Sequence, residues 1–221
     1  MTKFSKIDIP VLLIFFARPK QTALVFEQIK LARPSKLYLY QDGARENRLD
    51  DIKNIEICRE IVSDIDWNCQ VKTFFQDENF GCDPSEFIAQ KWMFENEEYG
   101  IVLEDDDVPS QSFFPFCKEI LEKYKFDERI NMVCGMNNFG EMENNPDSYF
   151  FSTSGSIWGW ATWKRVIDQW DDNYKFLDDK FSLLLLKNKL GKRFFNLFYK
   201  KSIGNRETKK AHYESILASS L

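Results

Sequence analysis

Residues 9–16, "IPVLLIFF", form a continuous apolar run of strand length, rich in β-branched and aromatic members, and stop at "ARP". This pattern predicts a buried strand. From Gln21 to Lys30, Val25, Phe26 and Ile29 recur at helical spacing until "ARPS" at 32–35 breaks the run. "KLYLYQDG" predicts a second strand ending at Gln41-Asp42-Gly43, and Ile52, Ile55, Cys58 and Ile61 mark the helix face that follows. A third strand is expected near "CQVKTFF", then the polar turn "QDENFGCDPS" and a helix carrying Phe87, Ile88 and Trp92. "GIVLE" predicts the fourth strand, after which Ser112 is placed to cap a helix displaying Phe113, Phe116, Ile120 and Tyr124.

This repeated alternation implies right-handed βαβ units, and so an α/β fold with a mostly parallel central sheet and helices on both faces. Ligands then belong at the carboxyl ends of the strands. "ARP", "QDG", "NFGCD" and "EDDD" fall along that rim although they lie far apart in the chain. After residue 140 or so the texture changes, through "MNNFGEMENN" and "GSIWGWATW" to aromatic and basic helices, with no repeat and no linker to mark a second domain.

The four consecutive acids Glu104, Asp105, Asp106 and Asp107 follow the apolar end of the fourth strand. Carboxylates so close repel one another, and a hard divalent cation with oxygen ligands, Mg²⁺ or Mn²⁺, is the simplest remedy. A cation held by one or two carboxylates keeps positions for water and for phosphate oxygens, which points to a nucleoside diphosphate. The competing interpretation is a solvated acidic turn, the usual fate of a charge run. Against it stand the position at the rim and the company of Arg18 and Asp42 from two other strand ends. Neither GxGxxG after the first strand nor GxxxxGK[ST] occurs, so phosphate binding has no glycine-loop explanation.

Composition narrows the field further. With 221 residues, 43% of them hydrophobic, the chain can bury a full core. A net charge of −5 argues against nucleic acid as a partner. Cys58, Cys69, Cys82, Cys117 and Cys134 form no CxxC pair, which fits reduced thiols in the cytoplasm, and His212 is the only histidine. The apolar run 11–17 is far shorter than the roughly 20 residues of a membrane span.

Taken together, "FFARP", "QDGAR", "NFGC", "LEDDDVPSQSFF" and "SIWGWATW" resemble nucleotide-sugar-dependent glycosyltransferases of the GT-A fold, nearest to a bacterial group described as hemolytic-protein HlpA-like. A more distant likeness is to the N-acetylglucosaminyltransferase that initiates complex N-glycans. The likeness spans nearly the whole chain. It implies a single catalytic domain over 1–221, with 1–140 as the nucleotide-sugar-binding half and 141–221 as the acceptor side. Relatives continue beyond the position of Leu221 through another strand and a closing loop, so a C-terminal truncation is expected.

The resemblance implies that Arg18 approaches the nucleotide and pyrophosphate, that Asp42 bonds the base, and that Glu104 and Asp105 contact ribose or donor sugar. Asp106 becomes the ligand of Mn²⁺ or Mg²⁺, and Asp107 a spare acid. The implied reaction moves a sugar from a nucleoside-diphosphate donor, a UDP-sugar first, to a saccharide or lipid-linked saccharide in bacterial surface-glycan synthesis, with inversion. Inverting transfer needs a general base at the acceptor hydroxyl. Glu214 is the first candidate, and Asp178 or Asp179 in "FLDDKF" the rival. "NFGCDPS" departs from relatives by placing Asp83 where they often carry a basic residue.

Trp158 and Trp160 could line an acceptor wall, as could Trp163; ordinary aromatic core is the alternative for each ring. Residues 187–201, "KNKLGKRFFNLFYKK", carry six basic and no acidic side chains, which suits peripheral docking on the inner face of an anionic membrane or, equally, a solvated helix packed on the domain. Two other functions compete. A sugar nucleotidyltransferase would need a glycine-rich basic loop after the first strand, and "FFARPKQTA" has no glycine. A degenerate transferase that binds nucleotide or glycan without turnover is the non-enzymatic alternative.

Overall fold

The structure is a computed structural model and describes residues 3–137, 140, 147–153 and 155–220. Most of the "MNNFGEMENN" stretch falls outside the described residues. Four strands, β1 (Ile7–Phe15), β2 (Pro34–Gln41), β3 (Gln70–Phe75) and β4 (Tyr99–Glu104), alternate with helices α1 (Pro19–Ala32), α2 (Leu49–Ser63), α3 (Cys82–Phe94) and α4 (Phe113–Lys123). Then come β5 (Val133–Cys134), β6 (Trp160–Trp163), α5 (Lys164–Ile167), a 3-10 turn (Lys175–Asp178), α6 (Lys180–Thr208) and α7 (Tyr213–Ser220).

The sheet has the order β3-β2-β1-β4-β6-β5. β1 pairs in parallel with β2 and β4, and β2 with β3, while β6 pairs antiparallel with both β4 and β5. The sheet is therefore mixed: its four strands β3-β2-β1-β4 are parallel, as expected, and β6 and β5 add an antiparallel edge. The physical reason lies in "WATW": all four residues are buried, and the short run closes the free edge of β4 by returning beside it.

The unbroken apolar run of β1 follows from its central place. Ile9, Val11, Leu13 and Phe15 enter one core with Val25, Phe26 and Ile29 of α1, Cys58 and Val62 of α2 and Phe114, Cys117 and Leu121 of α4. Leu12 and Ile14, pointing the other way, join Ala89, Met93 and Phe94 of α3 and Ile216 and Leu217 of α7. A strand covered on both faces has no solvent side to mark with polar residues.

Pro19 opens α1, where its missing N–H is no loss. Ser112 holds the N-cap position of α4, but it makes no capping bond; its hydroxyl bonds that of Ser110 instead, at 2.9 Å. No helix is long and apolar enough to cross a membrane, among the described residues.

Candidate functional site

The strand order reverses direction at β1: β2 and β3 lie to one side, β4 to the other. In such sheets ligands bind outside the carboxyl ends of the strands at the point of reversal. Arg18 leaves β1 at that point and the acids leave β4. The fold thus brings together residues 87 apart in the chain.

Arg18 donates from one terminal nitrogen to Asp105 and from the other to Asp106, the latter at 2.9 Å. Asp105 is 2% exposed and also accepts from the Phe16 backbone N–H at 3.2 Å, so it ties the end of β1 to the end of β4. Burial pushes its carboxyl pKa up, and the Arg18 guanidinium and the Phe16 amide act against that push. Asp106 is 52% exposed and is the acid open to a ligand. Asp107, the expected spare, holds the loop together. One of its oxygens accepts from the Gly159 N–H at 2.8 Å and the Glu104 N–H at 3.1 Å, joining the acidic loop to the entry of β6.

Glu104 takes its unusual chemistry from this crowding. Desolvation first, then the charges of Asp107, Asp106 and Asp105, push its pKa up to about 7, which suits a group that exchanges protons near neutrality. Beneath it lies an acid that pattern reading passes over. Glu86 of α3 is buried and accepts from the Gln90 amide at 3.3 Å; desolvation, and secondly the Glu104 charge, hold its pKa well above the usual carboxylate value. Its signal was present in "SEFIAQKWM": Glu86 and Gln90 are one turn apart on the face that carries Ala89 and Met93. An acid on the buried face of a helix is the informative exception.

Asp42, at the end of β2, is buried and turned to its own fold. Its carboxylate accepts from the Phe80 N–H at 2.9 Å, the Gly81 N–H at 3.0 Å and the Asn79 amide at 2.8 Å. The resemblance gives Asp42 to a nucleotide base; in the structure three donors from the 79–81 turn already hold it. Gly43 follows because this turn presses on it, and a Cβ there would sit 2.6 Å from the Glu78 backbone carbonyl. Gly43→Ala is therefore expected to destabilise the fold by about 1–3 kcal/mol through overpacking, read as a lower urea midpoint. A midpoint unchanged from wild type would show that the turn yields. Beside Gly43 lies a pocket of about 180 Å³ lined by Ala44, Ile52, Ile55, Arg59 and Gln76. A larger one of about 450 Å³ sits between α1 and α4 near Lys6 and Ile7, at the opposite end of β1 from the acids.

The base candidates fare differently. Asp178 pairs with Arg206 at 2.9 Å, and Asp179 caps α6, accepting from the Phe181 and Ser182 amides and the Ser182 hydroxyl. Asp179 is thus spent on a cap, whereas Asp178 is 72% exposed and keeps a face to solvent. Glu214 is 67% exposed and 3.9 Å from Lys201. Two residues earlier, His212 contacts Asp83 in the first turn of α3 at 3.3 Å, which sets the start of α7 beside the rim. Asp83, the residue that departs from the resemblance, thus anchors α7.

Trp160 is 1% exposed within the second core and offers no face to a ligand, so its expected place in an acceptor wall is replaced by packing. Trp163 is buried as well, with its indole N–H on the Leu121 carbonyl at 3.0 Å. Trp158, 62% exposed, is the ring of the motif that remains open to stacking.

No three or more His, Cys, Asp or Glu side chains form a group that could hold a metal ion among the described residues. Comparison with protein-family models and with curated proteins finds no match for this chain.

Proposed function

We propose that the chain is a nucleotide-sugar-dependent glycosyltransferase. The observation that carries this reading is the meeting of strand ends at the β1/β4 reversal, where Arg18 spans a buried and an exposed carboxylate. A guanidinium presented there by a fixed acid is suited to a diphosphate, and holding it in place before the substrate arrives lowers the cost of ordering it later. The neighbouring Asp42 turn and the pocket beside Gly43 supply shape for the rest of a nucleotide.

A cation fits these residues only as a shared ligand, since Asp106 is the acid of the four that stands half in solvent. Asp106 would hold Mn²⁺ or Mg²⁺, and the ion would neutralise charge on the departing diphosphate. Arg18 meanwhile positions the phosphates from the β1 side, and Asp105 holds Arg18 at the end of β4. Glu214, at the start of α7, is the exposed carboxylate we assign to take a proton from an acceptor hydroxyl, with exposed Asp178 as its rival. Trp158 offers the acceptor sugar an apolar face.

The test is calorimetric titration of UDP, with GDP for comparison, into wild type and Asp106→Ala, each with and without Mn²⁺. The expected result is one nucleotide bound by wild type when Mn²⁺ is present and none by the variant. Absence of binding in every condition overturns the reading. Binding without donor hydrolysis or transfer would convert it to a nucleotide-binding relative that has lost turnover.

A further inference from the structure

We infer that α6 is a peripheral docking element for an anionic lipid bilayer. This does not depend on the transferase reading. Of the 29 residues of this helix, Ser202 alone is buried. Gly191, at φ 71 and ψ 158, breaks the helix into two arms. The first arm exposes Phe181, Leu184 and Leu185, and the second Phe194 and Leu197, all more than half accessible. Leu183, Tyr199 and Ile203, on the opposite side, pack against the domain, and Phe198, at the edge of the second stripe, stacks on Phe176. At 3.6 residues per turn, 181, 184 and 185 form one stripe, as do 194 and 197. An apolar surface of this extent on a water-facing helix marks a site of contact.

Charge selects the partner. From Lys180 to Arg206 there are eight basic residues and no acid, in a chain that carries 35 acids against 30 bases overall. The bases flank the stripes: Lys187 and Lys189 follow the first, and Arg193, Lys200 and Lys201 border the second. Long basic side chains at the edges of an apolar stripe let the apolar rings enter the acyl boundary while the charges reach lipid phosphates. A second copy docking isologously through the same helix would instead set eight cations against eight. No helix is long and apolar enough to cross a membrane among the described residues, so the contact is with the surface of the bilayer.

The experiment is co-sedimentation with phosphatidylcholine vesicles, with and without phosphatidylglycerol, across a salt series. Three proteins are compared: wild type, Phe194→Ser/Leu197→Ser, and Arg193→Gln/Lys200→Gln. Wild type is expected to partition onto the anionic vesicles and to be released by salt, with partitioning reduced about tenfold or more in each double variant. Far-UV circular dichroism should match wild type, because all four side chains are exposed. Failure to sediment with anionic vesicles overturns the inference, as does equal binding to neutral ones. A wild-type dimer in sedimentation velocity that Phe194→Ser/Leu197→Ser dissociates, without lipid binding, would assign the face to a second copy and overturn it too.

Discussion

Asp105→Ala is expected to lower stability by about 2–4 kcal/mol and to abolish nucleotide binding, whereas Asp106→Ala does only the second. The two acids are neighbours in the chain and differ in what surrounds them. Removing Asp105 leaves the Phe16 amide without its acceptor and Arg18 without its buried counter-charge, so β1 and β4 lose a side-chain link just beyond their last ladder pair, Ile14 with Glu104. The loss stays below that of a fully buried pair because Arg18 is 45% exposed and retains water. Asp106, half in solvent, gives up one exposed ion pair worth less than about 1 kcal/mol. Urea denaturation and UDP titration on both variants separate fold from site. Equal stability losses would show that Asp105 is no more structural than Asp106 and would remove the basis for treating Arg18 as held in advance.

Stability is also expected to fall as pH rises from about 5 to about 7.5, and Glu86→Gln to remove much of that fall. Glu86 and Glu104 have folded-state pKa values above the ordinary 4.5, Glu104 at about 7. The folded protein therefore keeps protons that the unfolded chain has released, and each unit of pH across that window favours unfolding. At low pH the penalty is absent; it grows above 4.5 and is complete for Glu104 once pH passes about 7. Asp50 and Asp127, held down to about 2 by Arg48 and Arg129, titrate below the window and act in the opposite sense there. An amide at 86 has no proton to release, can still accept from Gln90, and should raise stability at about pH 7.5 while changing little at about pH 5. Glu86→Gln/Glu104→Gln should flatten the profile further. A wild-type profile already flat, or a variant with an unchanged slope, would mean that Glu86 reaches water and ionises normally.

Much of the fold could be read from the chain because the first half obeys simple periodicities. β1 is apolar throughout since both faces are covered, and α1 shows Val25, Phe26 and Ile29 because one face is. The second half resisted for a reason visible in "SIWGWATW". Four residues of strand carry no alternation, and Trp160 and Trp163 look alike in sequence to Trp158, although two rings are core and one is exposed. In the site, the rim placement of Arg18 and the acids followed from strand order alone. Which acid does what did not, since Asp105, Asp106 and Asp107 differ through partners at residues 16, 18 and 159. Asp42 likewise gained its partners from a turn almost 40 positions away. Ser112 shows the limit of local rules: it sits at the cap position and bonds elsewhere.

Gly159 adopts a positive φ of 66°, donates its N–H to Asp107 and accepts at its carbonyl from the Gly135 N–H at 2.8 Å. With a bond on each side, this residue is a rivet through which the acidic loop and the sheet's far edge share a single main-chain position. The exposed indole of Trp158 is carried on the residue next to that rivet, so the open ring of the motif and the acidic loop are one main-chain bond apart.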